Sequence, residues 1–152
     1  MCRWGLRWGR VAEERPMLPL TITEDDIVAF ARRWSKLLAA GEFQAACDLL
    51  DEPRGGGVWW TPQLLRECIE IDHYGPGTIF SRLHPEGVIY SDPDVVEMTS
   101  PSRHFGGQFG PDGYELCWDL PLNGEWSDIT ALFQLTRTPE GFLICLYDLH
   151  VM

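Results

Sequence analysis

YELCWDLPLNGEWSDITALFQLTRTPEGFLICLYDLHVM, residues 114–152, decides the architecture of this chain. Tyr114, Leu116, Trp118 and Leu120 alternate with Glu115, Cys117 and Asp119, the period of two that marks a strand with one buried face. Asp119 falls on the polar side of that alternation and is expected to face solvent. Residues 129–136 and 141–151 read as two longer strands, and Thr138-Pro139-Glu140-Gly141 between them reads as a hairpin turn. The final segment is apolar on both sides over most of its length, which fits a central, covered strand.

Upstream of this sheet-forming half the period changes to that of helices. Ile27, Phe30, Ala31, Trp34, Leu37 and Leu38 recur at three- and four-residue steps behind Thr23 and the acids Glu24, Asp25 and Asp26. That pattern predicts an amphipathic helix of about sixteen residues, with Thr23 as its N-cap and Gly41 as its stop. Phe43, Ala46, Cys47 and Leu50 repeat the spacing in a second, shorter helix closed by Pro53. After the Arg54-Gly55-Gly56-Gly57 break and a very short strand at 58–60, Thr61-Pro62 opens a third helix. Leu65, Cys68, Ile69 and Asp72 trace it as far as Gly75-Pro76-Gly77. Residues 78–83 and 88–91 read as strands, with a further one at 95–99 inside the long connection that runs to the turn Gly110-Pro111-Asp112-Gly113. Helices followed by a meandering antiparallel sheet define an α+β two-layer domain: three N-terminal helices on a curved sheet of four to six strands.

At 152 residues and 45% hydrophobic, the chain has the size and composition of one globular domain. Its 12 Lys+Arg against 23 Asp+Glu give a net charge of −11. Such a field repels phosphate backbones and anionic membranes, which argues against a nucleic-acid or membrane partner. The charge is uneven. Residues 86–152 hold 11 acids against Arg103 and Arg137, whereas 53–85 hold 3 acids and 3 bases, and Lys36 is the sole lysine. Residues 1–16 differ from everything after them, carrying Arg3, Arg7, Arg10 and Arg15 against two glutamates. They are expected to form a dispensable basic extension to a domain spanning 17–152. A rival reading packs Trp4 and Trp8 of that arm on the acidic body.

Cys2, Cys47, Cys68, Cys117 and Cys145 show no paired metal-ligand spacing, so no zinc site is expected. Cys47 and Cys68 sit on helical apolar stripes, and Cys117 and Cys145 sit inside strands. They read as buried reduced thiols, which fits a cytoplasmic setting. The glycine clusters do not match a phosphate loop, and Asp92-Pro93-Asp94 with Glu97 lacks the spacing of a calcium loop. No metal or cofactor is expected.

The order helix, helix, short strand, helix, then long antiparallel strands over residues 20–152 resembles the NTF2-like (cystatin-like) superfamily. PLNGEWSDITALFQL and GFLICLYDLHVM are similar to the closing segments of small bacterial members. The resemblance implies a cone-shaped fold, a homodimer through the sheet, and a pocket between the helices and the concave face of the sheet. Enzymes of that kind, of isomerase, dehydratase and cyclase type, place an Asp or His there. Asp148 and His150 are two apart on the last strand, hence on one face and roughly 7 Å apart, with Phe142, Ile144 and Leu146 preceding them on that face. Trp34 and Tyr90 are the companion pocket candidates for a small apolar ligand. A plainer account has the strand leaving the core where polar residues return. Neighbours on an extended segment point to opposite sides, so one of Trp59 and Trp60 should lie near the surface as an anchor for a protein partner. The sequence favours a non-catalytic interaction module, an acidic inhibitor or immunity-type protein covering a basic partner. The small-molecule enzyme or carrier built on Asp148 and His150 is the alternative.

Overall fold

The structure, a computed structural model, describes residues 18–97, 105–110 and 113–151. The extension 1–16, His104 and the Pro111-Asp112 turn lie outside the described residues.

Helix α1 spans Glu24–Ala39. Thr23 Oγ1 accepts from the Asp26 amide at 3.3 Å while Asp26 Oδ2 accepts from the Thr23 amide at 2.9 Å. This reciprocal cap satisfies two donors that the first turn leaves open. Ile27, Phe30, Ala31, Trp34, Ser35 and Leu38 form its buried stripe. Helix α2 is Phe43–Asp48 and helix α3 is Pro62–Glu67, with Thr61 accepting from the Leu64 amide and Pro62 in the first turn. Helix α3 then widens into a π-helical turn, Cys68–His73, in which the Tyr74 amide reaches the Ile69 carbonyl at 3.1 Å.

Three expectations fail between the helices and the sheet. Residues 78–83 are not a strand: Ile79–Leu83 is a short helix, α4, because Thr78 Oγ1 accepts from the Ser81 amide and starts a turn. A five-residue apolar segment is too short for periodicity to separate helix from strand. Likewise Pro93–Glu97 is helical, α5, where a strand at 95–99 was expected. There the Asp92 carbonyl accepts from the Val95 and Val96 amides. Residues 58–60 and 88–91 are extended, but only Tyr90 pairs, through a single bridge to Leu122.

The described sheet is an antiparallel meander, β1-β2-β3-β4, of Phe105–Gly110, Gly113–Leu122, Glu125–Thr138 and Gly141–Val151. Strands β2 and β3 turn at Asn123-Gly124, whose φ values of 52° and 84° are those of a two-residue hairpin turn. Cross-strand partners place Leu116, Phe133 and Leu146 in one row of the inner face, against which α1 packs. Phe133 meets Phe30 and Trp34 edge-on, with centroids at 5.5 and 5.2 Å, and all three are buried.

Strand β4 is the last in the ladder, yet its outer edge is covered, as its two-sided apolar sequence required. Residues 51–60 form a strap along it. The Asp51 amide donates to the Ile144 carbonyl at 2.7 Å, the Ile144 amide donates to Asp51 Oδ2 at 2.8 Å, and the Gly55 amide reaches the Tyr147 carbonyl. Trp60 Nε1 donates to the Leu146 carbonyl at 2.7 Å. Leu18 accepts from the Phe142 amide at one end, and His73 Nε2 meets the Leu149 carbonyl at the other.

The two tryptophans under α1 differ in one respect. Trp118 Nε1 donates to Ser35 Oγ at 2.7 Å, whereas the buried Trp34 Nε1 finds no acceptor among the described residues. Phenylalanine at either position removes similar volume, but only Trp118→Phe leaves a buried hydroxyl without its donor. Chemical denaturation should therefore show Trp118→Phe costing about 1–2 kcal/mol more than Trp34→Phe.

Candidate functional site

Strand β4 carries an irregularity that decides where its polar end points. Phe133 pairs with Leu146, but Leu132 pairs with Asp148, so Tyr147 is an extra residue in the ladder. A bulge of this kind moves every later side chain to the other face. Phe142, Ile144 and Leu146 face inward, and so does Leu149, whereas Asp148 and His150 share the outer face with Leu132 and Thr130. The expectation that they continue the Phe142–Leu146 face is overturned by this one residue.

On the outer face the two side chains do meet. His150 Nδ1 lies 3.5 Å from Asp148 Oδ2, and Arg54 Nη2 of the strap lies 3.6 Å from Asp148 Oδ1. These side chains are 35%, 42% and 26% exposed respectively. Solvent-screened pairs of this kind contribute little to stability. In the next strand Thr130 is opposite His150, and Asp119 is opposite Thr130 in β2. Asp119 is buried at 6% exposure and accepts from Thr130 Oγ1 at 2.9 Å, contrary to the solvent-facing position expected from the alternation. The Arg54 guanidinium also stacks 4.5 Å from the centroid of the Trp60 ring. Strap, bulge and outer face thus converge on Arg54, Asp148 and His150.

The other candidates lie elsewhere. Trp34 is fully buried on the inner side, beneath α1. Tyr90 belongs to a separate cluster: its hydroxyl donates to Glu70 Oε2 at 2.8 Å, Arg66 Nε holds the same oxygen at 3.0 Å, and Phe43 meets the Tyr90 ring edge-on. Burial, reinforced by that hydrogen bond, pushes the Tyr90 phenol above its ordinary range. A shallow groove of about 390 Å³ adjoins this cluster, lined by Pro62, Gln63, Arg66, Glu67, Glu70 and Ile71. Of the tryptophan pair, Trp60 is buried and Trp59 is half-buried, which gives Trp59 the outward position.

The thiols behave as apolar packing. Cys47, Cys68 and Cys145 are buried, and burial pushes Cys47 up to about 12 and Cys145 to about 11. Burial raises Cys68 too, against the opposing pull of Arg54. Among the described residues no three His, Cys, Asp or Glu side chains converge as metal ligands, and no helix is long and apolar enough to cross a membrane.

Chemically, a carboxylate on Nδ1 orients an imidazole and leaves Nε2 for proton exchange. Arg54 and Asp119 join the arrangement without having been singled out in sequence. Arg54 stands in a glycine run that reads as a break, and Asp119 obeys an alternation that assigns it to water. Comparison with known proteins finds no family model, no curated protein and no solved structure that matches this chain.

Proposed function

We propose that this chain is an interaction module of the NTF2-like type that covers a basic protein partner with the acidic end of its sheet. One observation carries the reading: five acids gather around the β2–β3 turn. Asn123 Nδ2 donates to Glu86 Oε2 at 3.0 Å, and the Ser91 hydroxyl accepts from the Gly124 amide, so the loop holding Glu86, Asp92 and Asp94 is tied beside Glu125 and Asp128. Lys36 bonds Asp92 and Asp94, and Arg32 bonds Asp94. These bonds to Lys36 and Arg32 hold Asp94 below the usual carboxylate range. Glu125 and Asp128 are exposed. Charge of one sign concentrated at one end steers a cationic partner and makes association salt-dependent. The long helix before an antiparallel meander bent by three register irregularities supports the NTF2-like part of the reading.

The test is affinity capture by the full chain, with the retained protein identified by mass spectrometry. A basic protein held at about 50 mM salt should be released by about 500 mM, where screening shortens to a few ångströms. The combined variant Glu86→Lys, Glu125→Lys, Asp128→Lys should not retain it. Equal retention by that variant, or capture indifferent to salt, overturns the proposal.

A second reading rests on the 3.5 Å approach of Asp148 to His150. It makes the outer face an acid–base site for a small apolar molecule, of isomerase, dehydratase or cyclase type. A small molecule that co-purifies with the native chain and is lost in His150→Gln would favour it over the docking module.

A further inference from the structure

The two edges of the sheet are finished differently. β4 is sealed by Leu18, Asp51, Gly55, Trp60 and His73, which between them engage both amides and carbonyls along its outer side. β1 pairs with β2 on one side, and among the described residues no group from outside the sheet bonds its other side. Every second residue of an edge strand turns its N–H and C=O outward. Proteins blunt such edges with charge, proline, bulges or a cover. The β1 sequence FGGQFG contains no charged residue and no proline, and only its bulge between Gln108 and Gly110 interrupts it.

We infer that β1 is the pairing edge for a second copy of this chain, two β1 strands running antiparallel about a two-fold axis to join the four-stranded sheets into one. Three features select a second copy over another partner. Two chains each carrying −11 repel one another, and an uncharged strand is where their backbones approach at least cost. A basic partner, by contrast, is drawn to the acidic end and not to this strip. Antiparallel pairing of a strand with its own copy is self-complementary, so each hydrogen bond recurs on the other side of the axis. Finally, the sealed β4 edge stops growth. Once β1 meets β1 of the second copy, only covered edges face outward, and the assembly closes at two instead of extending into a fibre. The bulge confines regular pairing to 105–108, so the contact is short and the dimer is weak, with a dissociation constant on the order of micromolar or higher.

Sedimentation velocity on the full chain, from about 1 to about 500 µM, should show the 17.3 kDa species giving way to one of twice that mass. Gln108→Glu puts like charges on either side of the axis and should weaken association at least about tenfold. Val58→Glu, on the strap of the sealed edge, should leave it unchanged. Hydrogen exchange of the unmodified chain supplies an independent readout should Gln108→Glu fold poorly. Amides within 105–110 should gain protection at the high concentration, while those of 51–60 do not change. A monomer at every concentration overturns the inference. So does a dimer that Gln108→Glu, still folded, leaves intact, or one whose added protection falls elsewhere, as on the exposed Ile79 and Leu83 of α4.

Discussion

Phe133→Ala is expected to lower the free energy of unfolding by about 3–5 kcal/mol, the range for deleting a fully buried phenylalanine. Its ring is the one that both aromatic residues of α1 meet, Phe30 at 5.5 Å and Trp34 at 5.2 Å. Its neighbours in the sheet are Leu116 and Leu146, also fully buried. The void left by alanine cannot collapse easily. β3 is fixed on both sides by ladder partners, and α1 is held by its cap and by the bond from Trp118 to Ser35. Guanidinium unfolding followed by tryptophan fluorescence should show a lower midpoint with an unchanged slope. A loss below about 1 kcal/mol would mean that the helix–sheet seam is not the centre of this core.

Gly75→Ala is the second large effect. A Cβ at residue 75 would lie 2.3 Å from the Ile71 carbonyl oxygen and 2.9 Å from the Ile71 Cα, both backbone atoms of the π-helical turn. Neither can swing aside as a side-chain tip does. Relief requires opening the turn, which gives up the Gly75 amide's bond to Ile71 and disturbs the adjoining bond from Tyr74 to Ile69. It also shifts His73 from the Leu149 carbonyl and the Tyr74 hydroxyl from the Asp128 amide. The expected cost exceeds about 2 kcal/mol. Gly77→Ala is the control. Gly77 has φ of +90° with nothing within 4 Å of its Cβ position, so only backbone strain of about 1 kcal/mol is lost. Equal costs for the two variants would remove the steric argument for the turn.

The long elements were legible because their signals are redundant. Thr23, three acids and six apolar positions all agree on α1, and 141–151 announces a covered strand in its own composition. What failed is short or depends on one residue. Residues 78–83 contain too few positions for a period, and Thr78 serves a helix start as readily as a strand. The bulge at Tyr147 has no local mark, since tyrosine suits either face, yet it decides where Asp148 and His150 point. Asn123-Gly124 is the opposite case, a strong hairpin signal inside a stretch read only for its resemblance to other proteins. Of the candidate site, the proximity of Asp148 to His150 followed from their spacing. The approach of Arg54 did not, because nothing in the sequence ties a glycine-rich strap to a strand more than ninety residues away.

That separation bears on how the chain comes to be folded. Asp51 meets Ile144 across 93 residues, and Trp60 meets Leu146 across 86. Contacts so distant in sequence close late and slow the reaction, because the intervening loop must be ordered first. On a ribosome, the strap and the π-helical turn emerge long before the strand they rest upon. A chain halted before Gly141 would hold its glycine-rich strap and the Trp60 indole open to water and to proteases. The final strand therefore acts as a completion signal: full-length chains lock both halves in one step, and unfinished ones stay open to degradation.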